Sequence, residues 1–298
     1  MAKETLLQDN HSSLWGYVLG SLAAISYGMN PLFALPLLNA GIDAQSVLML
    51  RYLTAIPMLA VIMLVSRKSF KLTGKQWPGV IVMGLFMAFS SLGLYLSYAY
   101  IGASIASVLL FIYPILVAVI MTVGFHEHTS WRTVLCIILA TVGIGLLYRG
   151  EGGVTLNAYG LLLVFVSALT YAIYLVGVNR PPLRGIPSLK MTFYVISFGV
   201  FLFIPFASMS CFDILSAQPM LWLNVAGMAF FPTAFSLICT SAAISRIGST
   251  PVAILGALEP VTAVAIAVTI FDESLTTRLV TGMALVIVAV TMIIAKKK

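Results

Sequence analysis

A chain of 298 residues that is 61% hydrophobic and only 8% charged, with a mean hydropathy of +1.08, has too little polar surface for a water-soluble globule, in which charged residues run at about 25%. It reads as an all-α integral membrane protein. Its net charge of +7 comes from Lys and Arg dispersed over loops and termini with no soluble domain to carry them, which excludes a nucleic-acid partner and leaves the lipid bilayer as the environment.

Residues 1–13 carry Lys3, Glu4 and Asp9 without a cleavable apolar stretch, so they read as a cytoplasmic N-terminal segment ahead of a retained first helix. Windows of about 20 apolar residues then predict ten transmembrane helices. In the first half, 14–149, they fall near 14–38, 46–66, 78–100, 104–125 and 131–148. In the second, 150–298, they fall near 158–178, 189–209, 220–244, 250–271 and 278–295.

The two halves repeat. Gly102-Ala103-Ser104, Pro114, Glu127 and Arg132 recur 146 positions later as Gly248-Ser249-Thr250, Pro260, Glu273 and Arg278. Nearer the start of each half, Gly16, Ser26 and Tyr27 fall on Gly160, Thr170 and Tyr171 at an offset of 144. An odd number of spans per half inverts the second relative to the first, giving two inverted five-helix repeats, an arrangement typical of transporters. Of the 16 Lys and Arg residues, 13 fall on one side of the ten-span map; Arg51, Arg149 and Arg278 are the others. The positive-inside rule then places both termini in the cytoplasm of a multi-pass inner-membrane protein.

Two ionisable residues fall deep in predicted spans, Arg51 in the second and Glu259 in the ninth. Intramembrane charge is costly and usually faces the bundle interior. Both count to about mid-depth at roughly 1.5 Å per residue, which permits a structural salt bridge between the halves. It equally permits a substrate anchor or, for Glu259, a carboxyl that carries a coupling proton. Polar and aromatic residues form stripes at helical spacing: Ser91, Tyr95 and Tyr98 on the third span, Ser167, Thr170, Tyr171 and Tyr174 on the sixth, and Ser26, Tyr27 and Asn30 on the first. They serve either helix-to-helix hydrogen bonding or the lining of an aqueous cavity. The substrate-binding candidates are Tyr27, Asn30, Arg51, Ser91, Tyr95, Tyr98, Tyr171, Tyr174 and Glu259.

Pro31, Pro114, Pro232 and Pro260 fall inside predicted spans. Pro removes a backbone hydrogen bond, so they mark kinks, either as packing features or as hinges beside a cavity. His126-Glu127-His128 suggests a metal, yet residues two apart do not share a helix face. A loop or helix-start role fits Glu127 and its counterpart Glu273 better, each near the N-terminus of the helix that follows. Cys136, Cys211 and Cys239 match neither a metal knuckle nor a disulfide framework, and buried thiols are expected. No metal and no cofactor is expected.

The run Gly248-Ser249-Thr250-Pro251, Leu258-Glu259-Pro260-Val261 and Phe271-Asp272-Glu273-Ser274-Leu275-Thr276 resembles the closing signature of an EamA-type unit. Gly102-Ala103-Ser104, Tyr113-Pro114 and Glu127 resemble a weaker copy, and Arg51 matches a frequent basic position. The resemblance covers essentially the whole chain and implies a ten-helix exporter of the drug/metabolite transporter superfamily. It departs from a symmetric pattern where Tyr113 stands opposite Glu259, which puts the intramembrane acid on the second half alone.

The expected function is a secondary transporter exporting small amphipathic or zwitterionic metabolites, amino-acid-like compounds or drug-like cations, by alternating access, with proton coupling, exchange and facilitated diffusion all open. Gly150 to Gly153 lack the Gly-Lys-Ser/Thr end of a phosphate loop, so no ATPase subunit is implied. The rivals are a channel or a structural membrane partner. An enzyme is disfavoured because the spans hold neither histidine nor paired carboxylates.

Overall fold

The computed structural model describes residues 2–125, 157–247 and 255–294 together with 131, 135, 138, 139, 142, 143 and 252. Among the described residues there is no strand. In chain order the elements are α1 (Ala2–Gly28), α2 (Asn30–Asn39), α3 (Ala44–Val65), α4 (Trp77–Ile101), α5 (Ala103–Leu110), α6 (Tyr113–Phe125) and α7 (Ala158–Val178). There follow α8 (Ser188–Phe203), α9 (Ser210–Ala217), α10 (Leu221–Ala229), a π-helical segment (Phe230–Phe235), α11 (Ser236–Ile247), α12 (Leu258–Ile270) and α13 (Thr277–Ile294). Among the described residues six stretches are long and apolar enough to cross a bilayer: Leu14–Asn39, Ala44–Val65, Trp77–Ile101, Ala103–Phe125, Ala158–Val178 and Leu221–Thr240. α8, α12 and the first part of α13 are shorter apolar helices. Most of the fifth predicted span lies outside the described residues.

Several predicted spans are interrupted, and proline explains where. α1 stops at Gly28 and α2 starts at Asn30, with Pro31 in the first turn of α2, a place where no N–H is needed. Pro114 is the second residue of α6 and Pro260 the third of α12. These two prolines therefore stand in the first turn of a new half-helix, Pro114 after the turn at Phe111 and Ile112 and Pro260 after that at Gly256 and Ala257. Pro232 sits inside the π segment, where a widened turn absorbs a residue that cannot donate. α8 ends at Phe203, short of the predicted 209, where Pro205 has no N–H with which to continue the helical ladder. The short α9 that follows, which hydropathy windows do not predict, tucks Cys211 and Leu215 fully into the core.

The packing obeys the repeat. α1 lies along α11, and α4 along α7. A Cβ added to Gly16 would stand 2.5 Å from Ile247 Cγ2 and 3.0 Å from Arg246 Cβ, whereas one added to Gly160 would stand 2.7 Å from Tyr100 Cβ and 2.8 Å from Ile101 Cγ2. Tyr100 and Ile101 are the 146-residue counterparts of Arg246 and Ile247, so this is one contact with the halves exchanged. The seams are also tied at equivalent levels. Ser236 Oγ donates to the Ala23 carbonyl at 3.0 Å and Ser167 Oγ donates to the Ser90 carbonyl at 2.6 Å. Ala23 and Ser167 are counterparts, as are Ser90 and Ser236. Small side chains at such seams let helix backbones approach, and hydroxyls then bond across them.

Candidate functional site

Helices of both halves converge on one cavity. Its wall carries Tyr27, Asn30, Pro31, Tyr98, Tyr113 and Glu259, with Gly28, Leu94, Ser107, Leu110, Phe111, Pro260 and Ala263 completing it. Its volume is only about 30 Å³, room for about two waters. Admitting a metabolite therefore requires the wall to part.

Glu259 reaches this wall because the chain breaks ahead of it. Gly256 and Ala257 form a turn, α12 starts at Leu258, and Glu259 lies in its first turn, where the helix dipole favours a carboxylate. Gly28 makes room for that turn: a Cβ there would stand 2.5 Å from the Glu259 carbonyl oxygen and 2.7 Å from Thr262 Cβ. The Glu259 side chain is half-buried and opens onto the cavity. No hydrogen bond or ion pair ties it to any described residue.

Arg51 stands behind the wall. It is 5% exposed and is absent from the cavity lining. Its Nε donates to Thr233 Oγ1 at 3.2 Å, and Nη1 donates to Asn30 Oδ1 at 3.3 Å and to the Tyr95 hydroxyl at 3.2 Å. Tyr95 in turn donates to Asn30 Oδ1 at 2.9 Å, with Met228 Sδ 3.1 Å away as a second acceptor. Thr233, inside the π segment, donates to the Met228 carbonyl at 3.1 Å, a carbonyl that the residue four places on, Pro232, has no N–H to serve. The guanidinium thus joins the break between α1 and α2, the face of α4 and the π segment. All its partners are neutral. Among the described residues no carboxylate lies within ion-pair distance of Arg51, so the salt bridge between Arg51 and Glu259 that the sequence permits is not formed.

The other candidates divide by position. Tyr27, Asn30 and Tyr98 share the wall with Glu259. Tyr95 stacks on Tyr98 with ring centroids 5.5 Å apart but belongs to the Arg51 network. Ser91 shares a hydrogen bond of 2.9 Å with the Tyr52 hydroxyl, away from the cavity. Tyr171 is not on the lining and stands edge to face with Tyr113 of the wall at 4.7 Å. Tyr174 stacks on Tyr171 and packs against the separate core cluster of Val80, Met83, Leu183, Met191 and Val195.

Glu273 departs from its expected role. Its carboxylate accepts from the amides of Ala103 at 2.9 Å and Ser104 at 3.2 Å, capping α5 in the other half. The helix that follows Glu273 is capped instead by Thr276 Oγ1, which accepts from the Leu279 amide at 3.1 Å. Two unpaired amides on another element are a better match for a carboxylate than one already served by a hydroxyl. Glu127, His126, His128 and Cys136 lie outside the described residues. Cys211 and Cys239 are buried free thiols.

Tyr113 is the wall residue that sequence reasoning passed over. The signal was present, since Tyr113 stands opposite Glu259 at the 146-residue offset, but the change from acid to phenol reads as a break in symmetry and not as a second wall position. Thr233 and Met228 carry no sequence mark of their roles.

Comparison with known proteins assigns the scaffold. The model of the EamA-like transporter family matches residues 14–149 and again 158–295. An uncharacterized transporter of Archaeoglobus fulgidus is 29% identical over 126 residues, 42% of this chain and 44% of that protein, so the match spans less than half of the relative's length. A protein of known crystal structure superposes with a TM-score of 0.62 over 93% of this chain and 95% of its own at 17% identity, a likeness of fold alone. Matched once in each half, the chain belongs to the EamA-like transporter family and is a multi-pass membrane protein.

Proposed function

We propose that the chain is a secondary transporter of the inner membrane that exports small amphipathic or zwitterionic metabolites, amino-acid-like compounds or drug-like cations. It works by alternating access between two inverted five-helix halves with both termini in the cytoplasm, and Glu259 carries the coupling proton. The observation that supports this most is an unpartnered carboxylate on the wall of a cavity built jointly by both halves, the place where a carrier binds its cargo. A carboxylate left without a partner in a low-dielectric site is costly unless a ligand or a proton meets it. The tyrosine rings offer apolar and cation-binding faces beside it.

Counterflow separates this reading from its rivals. Proteoliposomes preloaded with an unlabelled amine or amino acid and diluted into its labelled form should accumulate label transiently and saturably. Flux that rises linearly with concentration and shows no counterflow would identify a channel, and no flux for any cargo class would leave a structural membrane protein.

A further inference from the structure

Asn30 is the one side-chain amide on the cavity wall among the described residues, and its hydrogen bonds fix which way it points. Arg51 has no acceptor, so the Asn30 atom 3.3 Å from Nη1 must be the carbonyl oxygen. The Tyr95 hydroxyl holds the same oxygen at 2.9 Å. Neither Arg51 nor Tyr95 lines the cavity. The other end of the amide, Nδ2, is therefore turned to the cavity side, and it has no partner among the described residues. It also retains surface, since the only fully enclosed side-chain polar atom lacking a partner among the described residues is Ser104 Oγ. Across the same small cavity stands the unpartnered carboxylate of Glu259.

Resting on the reading of this cavity as the cargo site, we propose that Asn30 Nδ2 is a specificity-determining donor and that Arg51 and Tyr95 are positioning residues that keep it facing the cargo. The preferred cargo then carries a hydrogen-bond acceptor, a carbonyl or carboxyl oxygen, beside the ammonium group that faces Glu259. An α-amino carbonyl compound fulfils both requirements with one short spacer. A plain amine leaves the Asn30 donor unmet, and leaving a desolvated donor unmet is what lets polar sites reject such analogues.

A matched set of ligands tests this: phenethylamine, phenylalaninamide and phenylalanine, at about pH 6, where each carries an ammonium group. Binding is read by calorimetry on purified full-length protein and on two variants, Asn30→Asp and Arg51→Met. In the wild type the carboxamide should bind about five- to tenfold tighter than the plain amine, with the carboxylate within about tenfold of the carboxamide. Asn30→Asp turns the donor into an acceptor in the same shape, and Arg51→Met frees the amide to rotate. In either variant that ratio of carboxamide to amine should fall to about one while the plain amine still binds. The ratio is independent of how much folded protein a variant yields, and one well-folded variant suffices.

Equal binding of amine and carboxamide to the wild type would overturn the proposal and leave the cavity reading standing, as would a ratio unchanged in both variants. A carboxylate preferred over the carboxamide by more than tenfold would assign the acceptor to Arg51 Nη2, which makes no hydrogen bond to the described residues, and would overturn it too. If none of the three binds, the cavity reading fails and this inference fails with it.

Discussion

The seams between the halves and the centre they enclose obey opposite rules. Along the seams the repeat is kept: Gly16 against Arg246 and Ile247 restates Gly160 against Tyr100 and Ile101, and Ser236 to Ala23 restates Ser167 to Ser90. At the centre it is broken. The counterpart of Glu259 is Tyr113, that of Asn30 is Tyr174, and Val195 to Ser197, none of them basic, fall where Arg51 would recur. The repeat supplies a scaffold with two equivalent packing seams, and the centre departs from it in a few positions.

Gly28 is where this contrast should break hardest. Its counterpart is Ala172, which is buried and tolerated, whereas at Gly28 a Cβ would run into the backbone that presents Glu259. Gly28→Leu is expected to cost about 3 kcal/mol or more, since backbone cannot yield as a side chain can. Thermal unfolding in detergent should show a clear loss, and Ala172→Gly a change of only about 1 kcal/mol. Comparable losses from the two would contradict the special closeness of α1 and α12.

The seams offer the converse test. Gly16→Leu and Gly160→Leu should each destabilise by about 1 to 3 kcal/mol and by similar amounts, because they intrude on equivalent neighbours. A loss confined to one of them would mean that the shared packing does not carry shared energy. Smaller still are the serine ties. Ser236→Ala and Ser167→Ala should each cost about 0.5 to 1 kcal/mol, the usual worth of a hydrogen bond between membrane helices, again in step with one another in the same unfolding assay.

How much of this was legible in the sequence depends on whether the feature is local. The repeat was legible, since Gly102 and Gly248, or Gly16 and Gly160, keep their register in plain residue types. Glu259 and Tyr27 were legible as wall residues, because an acid in an apolar run and a tyrosine pair at one offset leave few other roles. Arg51 was recognised as deep but not as a residue turned away from the cavity. That requires the positions of Asn30, Tyr95 and Thr233 together, residues 21, 44 and 182 places distant in the chain. The π segment and α9 were not legible either, because Pro232 and Pro205 state only that helical bonding must change, not which geometry replaces it.

The measurement that bears most directly on the account is transport by Glu259→Gln beside Tyr113→Phe, its mirror position, in proteoliposomes from about pH 5.5 to 8. The account predicts that Glu259→Gln, though folded, loses flux or loses its dependence on the proton gradient, while Tyr113→Phe keeps both within a few-fold of the wild type. Normal flux by Glu259→Gln across that range would contradict it, because neither proton carriage nor cargo anchoring could then rest on the one carboxylate that, among the described residues, faces the cavity.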